Sequence, residues 1–131
     1  MDEIKLDHVG IAVKNLPEAI ELFKDKLGGY CLYESVVESQ KIKSARIAIG
    51  QAQFELMEPA SQDSVVGKFI ASRGGGVHHL SLQVPDLDKA IEGYREKGLE
   101  VGKIISGENY RVAFLHPRST LGILVELLER T

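Results

Sequence analysis

The sequence predicts an α+β fold: two duplicated βαβββ modules that form one curved, partly closed eight-stranded sheet. Three observations predict it. A strand-like run centred on a histidine occurs twice, as Asp7-His8-Val9-Gly10-Ile11-Ala12-Val13 and as His78-His79-Leu80-Ser81-Leu82-Gln83-Val84, with His8 and His79 71 positions apart. Each run leads into residues at helical spacing and then into further strand-like runs. Identities recur at that same offset: His8/His79, Val13/Val84, Leu16/Leu87, Ala19/Ala90, Ile20/Ile91, Glu21/Glu92 and Lys26/Lys97, then Glu55/Glu126, Leu56/Leu127 and Glu58/Glu129. Two copies make a duplication and not a solenoid. The expected organisation is a single domain over 1–131, with modules at about 4–60 and 75–131.

The elements follow in chain order. Residues 4–13 alternate as a strand. Asn15-Leu16-Pro17-Glu18 starts a helix: Asn15 caps, Pro17 fits the first turn, and Glu18 stands at the capping-box position. Leu16, Ala19, Ile20, Phe23 and Leu27 give that helix one apolar face, and Gly28-Gly29 stops it. Strands are expected at 30–37, 42–50 and 52–58, with a turn at Gly50-Gln51. Residues 63–72 read as a short connecting helix, and Gly74-Gly75-Gly76 as a hinge. The second copy opens with a strand at 77–84. Asp86 caps a helix carrying Leu87, Ala90, Ile91 and Tyr94, which Gly98 ends. Strands at 99–105, 110–116 and 122–129 complete it. Two sheets of this size, each with a helix on one face, pair into one larger curved sheet.

Composition narrows the function classes. The chain has 131 residues, enough for one domain with a real core. It is 44% hydrophobic and 27% charged with a net charge of −3, and its Lys and Arg are scattered among acids. No basic footprint for nucleic acid is present. One cysteine, Cys31, rules out an intrachain disulfide and a zinc–thiolate cluster, and reads as a small buried hydrophobe. The N-terminal stretch lacks an apolar signal core and no run is long enough to span a bilayer, so no membrane partner and a cytoplasmic location are expected.

The chemistry lies in the duplicated polar residues. Each module has a His on its first strand and a Glu 47 positions later on its last: His8 with Glu55, His79 with Glu126. Both acids have apolar neighbours, in Phe54-Glu55-Leu56-Met57 and Val125-Glu126-Leu127-Leu128, and a carboxylate in such surroundings needs a partner. Two imidazoles and two carboxylates related by a pseudo-twofold would converge on one point. That donor set suits a divalent transition ion with waters in open positions, which a catalytic metal requires. The plainer reading is that each His is a structural hydrogen bonder kept for packing. His78, on the face of Leu80, Leu82 and Val84, is expected to serve as a hydrogen-bonding or core group and not as a ligand. Gln53 and Gln83 either line the cavity beside the ligands or are solvated strand residues. His116-Pro117-Arg118-Ser119-Thr120 reads either as a loop that pairs with a carboxylate or phosphate, or as a capped turn between strands.

Several segments together resemble the methylmalonyl-CoA epimerase family of the vicinal oxygen chelate superfamily, which includes glyoxalase I. They are Asp7 to Val13, Phe54-Glu55-Leu56-Met57-Glu58-Pro59, Gly76-Val77-His78-His79, and Ala113-Phe114-Leu115-His116-Pro117-Arg118-Ser119-Thr120 through Val125-Glu126-Leu127. The resemblance covers nearly the whole chain. It implies the vicinal oxygen chelate fold built around a metal site, with His8, His79 and Glu126 as ligands and Glu55 at the fourth ligand position, which is Gln in some members. It implies a divalent metal ion, Co²⁺ first, with Ni²⁺, Zn²⁺ or Mn²⁺ as alternatives. It implies an acyl-CoA substrate and a 1,1-proton transfer at C2 of methylmalonyl-CoA through a metal-stabilised enolate. Such a transfer needs a base on one face of the enolate and an acid on the other, and two carboxylates on opposite sides of one ion supply that geometry, so Glu55 and Glu126 are our candidates for the pair. Gln53, His116, Arg118 and Ser119 become substrate contacts, and a homodimer is expected. The chain departs from the family pattern at Ser44, where some members carry a second acid (Glu38 is the nearest acid here). It departs again at 106–110, which lacks paired glycines, and at Leu121, where Gly is usual. Two other functions compete: a glyoxalase I-like lactoylglutathione lyase acting on a thiol hemithioacetal, and a metal-free ligand- or antibiotic-sequestering protein of the same fold. A non-haem iron dioxygenase, usually built on a longer chain, ranks below them.

Overall fold

A computed structural model describes residues 3–131. Of the described residues, 8–78 form one compact unit; residues 79–131 form a second, which also takes in residues 3–7. Among the described residues, eight strands and three α-helices make the α+β fold: β1 (Lys5–Ala12), α1 (Leu16–Glu21), β2 (Tyr30–Val37), β3 (Ile42–Ile49), β4 (Ala52–Pro59), α2 (Val65–Arg73), β5 (Gly76–Gln83), α3 (Leu87–Glu96), β6 (Ile105–Ser106), β7 (Tyr110–Leu115) and β8 (Val125–Arg130).

In the first unit β1 runs parallel to β4, and β4-β3-β2 is an antiparallel meander. In the second, β5 runs parallel to β8, and β8-β7-β6 repeats the meander. The register repeats too. Val9 pairs with Phe54 and Leu80 with Val125, both displaced by 71 positions. In the inner strands the displacement is 68: Arg46 faces Glu55 and Phe114 faces Glu126 (114 − 46). The second copy is therefore three residues shorter ahead of its β7.

Each unit buries one helix face against its own strands. In the first, Leu16 and Ala19 pack on Ala45, Ile47 and Leu56. In the second, Leu87 and Ile91 pack on Ala113, Leu115 and Leu127, the positional counterparts. Each fully buried aliphatic side chain contributes about 1.5–3 kcal/mol. Both helices start as the sequence predicts: Asn15 Oδ1 accepts from Glu18 N at 2.9 Å, and Asp86 Oδ1 from Lys89 N at 3.1 Å. A second support was not foreseen. Glu58 on β4 accepts from Leu16 N at 2.7 Å, and Glu129 on β8 accepts from Leu87 N at 2.8 Å. These duplicated acids satisfy backbone donors that a first helical turn leaves without intrahelical partners.

Two expectations change. The first helix does not stay α-helical to Leu27: a π turn spans Leu22–Lys26, closed by Leu27 N donating to Leu22 O at 2.9 Å. From helix start to the terminating glycine the first copy counts twelve steps (Leu16 to Gly28) and the second eleven (Leu87 to Gly98). The wider turn absorbs that extra residue while both glycines take the left-handed conformation. The strand expected at 99–105 shrinks to Ile105–Ser106 and a lone bridge from Val101 to Leu115. There the backbone is bonded irregularly, with Glu100 N donating to Ser119 Oγ and Gly102 N to Phe114 O. Cys31 is half-buried against the first unit's core.

Candidate metal centre

Alternation along β1 turns His8, Gly10 and Ala12 inward, and His8 is 4% exposed. Parallel pairing to β4 sets Gly10 beside Glu55. His8 Nε2 then lies 3.4 Å from Glu55 Oε1. On the other side of Glu55, β3 brings Arg46, a buried guanidinium whose Nη1 donates to Gln53 Oε1 at 3.1 Å. Arg46 was not singled out from the sequence. Its signal was a lone cation inside the apolar run Ala45-Arg46-Ile47-Ala48, where a buried charge demands polar company. His78 sits edge-on to Phe69, with ring centroids 4.9 Å apart. Burial pushes its pKa below the ordinary imidazole value, and the charge of Glu55 opposes that shift.

In the second unit the alternation of β5 buries His79 (6% exposed) and Ser81 (0%). The His79 ring stands edge-on to Phe114 at 6.5 Å. Ser81 and Glu126 are register partners, and Ser81 Oγ donates to Glu126 Oε1 at 2.7 Å. Ser81 was not singled out from the sequence; strand alternation puts it on the His79 face.

His8, Glu55 and His79 each offer one ligand atom, and these three atoms lie within 4.8 Å of one another. Two imidazoles and a carboxylate at that spacing make a cluster able to coordinate a divalent metal, and both imidazoles are shielded from water. Among the described residues, Glu126 is not part of that trio.

Arg118, His116, Ser119 and Ser44 each have a polar partner. Arg118 donates from Nε and Nη2 to the two oxygens of Glu100, each at 2.7 Å. That pairing holds the Glu100 carboxyl below the usual carboxylate range. His116 Nδ1 accepts from Arg118 N, and Ser119 Oγ donates to His116 O. The segment is a short 3₁₀ turn over Pro117–Ser119, followed by Leu121 at φ 59°, a left-handed leucine. Ser44 is buried on β3 with its hydroxyl 3.4 Å from that of Ser35.

Known proteins resemble this arrangement along most of their length. Residues 7–114 match the Glyoxalase/Bleomycin resistance protein/Dioxygenase superfamily. The ethylmalonyl-CoA/methylmalonyl-CoA epimerase of Cereibacter sphaeroides is 30% identical over 130 residues, a span of 94% of this chain and 96% of that protein. The crystal structure of methylmalonyl-CoA epimerase from Mycobacterium tuberculosis superposes with a TM-score of 0.88 at 37% identity, covering 97% of this chain and 88% of that one. A Streptomyces coelicolor methylmalonyl-CoA epimerase variant in complex with 2-nitronate-propionyl-CoA gives 0.88 at 32% identity, covering 97% and 94%.

Proposed function

The chain belongs to the methylmalonyl-CoA epimerase family within the Glyoxalase/Bleomycin resistance protein/Dioxygenase superfamily, and from that premise we propose that it is a metal-dependent epimerase of methylmalonyl-CoA. The observation that carries the reading is the convergence of His8, Glu55 and His79 within ligand distance of one another. Glu126, at the position that duplicates Glu55, is proposed as the fourth ligand. Cobalt is the proposed native ion, with Ni, Zn and Mn as alternatives that imidazole and carboxylate donors also accept.

The residues divide the work. The ion, when bound, supplies positive charge where the thioester oxygen of the substrate becomes negative. His8 and His79 hold their place through burial and packing. Epimerisation takes the C2 proton from one face and returns a proton to the other. One of Glu55 and Glu126 accepts the C2 proton, and its bonding electrons pass into the planar enolate. The other, carrying a proton and therefore not holding the ion in that state, gives its proton to C2 from the opposite face, so protons and charge balance. Gln53, His116, Arg118 and Ser119 are proposed as substrate-side groups. Each already has a polar partner, so taking up substrate exchanges one hydrogen bond for another. No described helix is long and apolar enough to cross a membrane; a cytoplasmic homodimer completes the proposal, twofold assemblies being the commonest kind.

The test is loss of deuterium from C2-labelled methylmalonyl-CoA with Co²⁺ added, run beside a hemithioacetal. Exchange confined to the CoA ester supports the epimerase. Turnover of the hemithioacetal alone moves the chain to the lyase reading. Protein that takes up no ion and exchanges nothing supports the sequestering reading.

A further inference from the structure

The two halves repeat their register but not the residue beside each acid. Glu126 on β8 pairs with Ser81 on β5, and Glu55 on β4 pairs with Gly10 on β1, at the same displacement. Ser81 is wholly buried, and its hydroxyl donates to Glu126 Oε1 at 2.7 Å, the favoured distance for a hydroxyl–oxygen hydrogen bond. Gly10 has no side chain to do the same for Glu55. The bond is therefore not imposed by the duplicated fold; it is a feature of one half alone.

A carboxylate offers two oxygens, and it binds an ion through either one or both. A donor fixed on Oε1 by a buried neighbour restricts rotation of the whole group and occupies part of that oxygen's acceptor capacity. We propose that Ser81 is a positioning residue that makes Glu126 a single-oxygen ligand, leaving coordination places for a bidentate substrate. This rests on the reading of Glu126 as a ligand given above. It assigns the two acids unequal roles: Glu126 is anchored by a hydroxyl from the neighbouring strand, while Glu55 stands in register between Gly10 and Arg46.

The experiment compares wild type, Ser81→Ala and Ser81→Thr, with Co²⁺ alone as the probe. Affinity is read by equilibrium dialysis and coordination by the visible d–d absorption; the melting temperature of metal-free protein confirms folding. Loss of a group that orients a ligand costs about 10–100-fold in metal affinity. Ser81→Ala is expected to lose affinity within that range and to show weaker d–d absorption as Glu126 moves to two-oxygen coordination. Ser81→Thr, which keeps the hydroxyl, is expected to restore both. Folded Ser81→Ala with wild-type affinity and spectrum overturns the positioning role and leaves the ligand reading standing, as does a folded Ser81→Thr no better than Ala. Wild-type protein that takes up no Co²⁺ overturns the ligand reading, and this proposal with it.

Discussion

His8 Nε2 and Glu55 Oε1 stand 3.4 Å apart although 47 positions separate them, because parallel pairing of β1 and β4 sets their segments side by side. Removing each partner should do different things. His8→Ala deletes a buried nitrogen donor, so bound Co²⁺ should fall well below one per chain by elemental analysis. Glu55→Gln keeps an oxygen donor but loses the proton acceptor. It should retain the ion while C2 exchange falls by about 10²–10⁴-fold, the usual contribution of a general acid or base. Glu126→Gln should behave likewise. If it keeps both its ion and its full rate, Glu126 is not a base.

Glu58 and Glu129 each reach from a last strand to the first N–H of a helix. A hydrogen bond to a charged group is worth about 1.5–3 kcal/mol, and more is lost when a buried donor is left unmade. Glu58→Ala should therefore lower unfolding free energy by about 2 kcal/mol in urea titration, with the slope unchanged. A loss below about 0.5 kcal/mol, the scale of an ordinary surface substitution, would mean water replaces the carboxylate at no penalty.

Glu129 carries a pH signature. The Arg111 guanidinium, donating from Nε at 2.9 Å, and then the backbone N–H of Leu87, hold its carboxyl below the usual glutamate range. Its folded value is thus depressed. The stabilisation is complete above the unfolded value, about 4.3, and is lost as pH falls through the folded value beneath it. Urea midpoints should decline between neutral pH and pH ~3.5 more steeply for wild type than for Glu129→Gln. Parallel curves would remove Glu129 from the acid limb.

What could be read from the sequence followed the duplication. Helix caps, apolar faces, the two histidines and the two acids recur at one offset, so a single alignment placed all of them. What broke the repeat was harder to read. The extra residue in the first helix became a π turn, and the shortening before β7 left two strand residues where seven were expected. Arg46 and Ser81 were missed as partners of Glu55 and Glu126 because their twins are Phe114 and Gly10. An internal copy reveals shared scaffolding and conceals whatever one half acquired alone.

Leu121 is 97% exposed and adopts φ 59°. A left-handed conformation costs a β-carbon-bearing residue about 1–2 kcal/mol, and a fully exposed side chain returns no burial. Glycine removes the strain but adds about 0.5–1 kcal/mol of unfolded-state entropy. Leu121→Gly should therefore stabilise the protein by up to about 1 kcal/mol, a rise of about 2–5 °C in Tm for a chain of this size. A fall in Tm would show that the leucine packs against something in the assembled protein.

Arg118 separates substrate binding from stability. Its guanidinium and Glu100 are both exposed, so water and salt screen their bidentate pair and it adds little to folding. The proposed role is to exchange that partner for an anionic group on the acyl-CoA, an interaction present equally in ground and transition states. Arg118→Ala should then raise KM about tenfold with kcat unchanged, the mark of lost uniform binding, and leave Tm within about 3 °C. Raised salt should erase the difference between wild type and variant, since an exposed charge contact is screened. An unchanged KM together with a lower Tm would confine Arg118 to clamping the 116–122 turn.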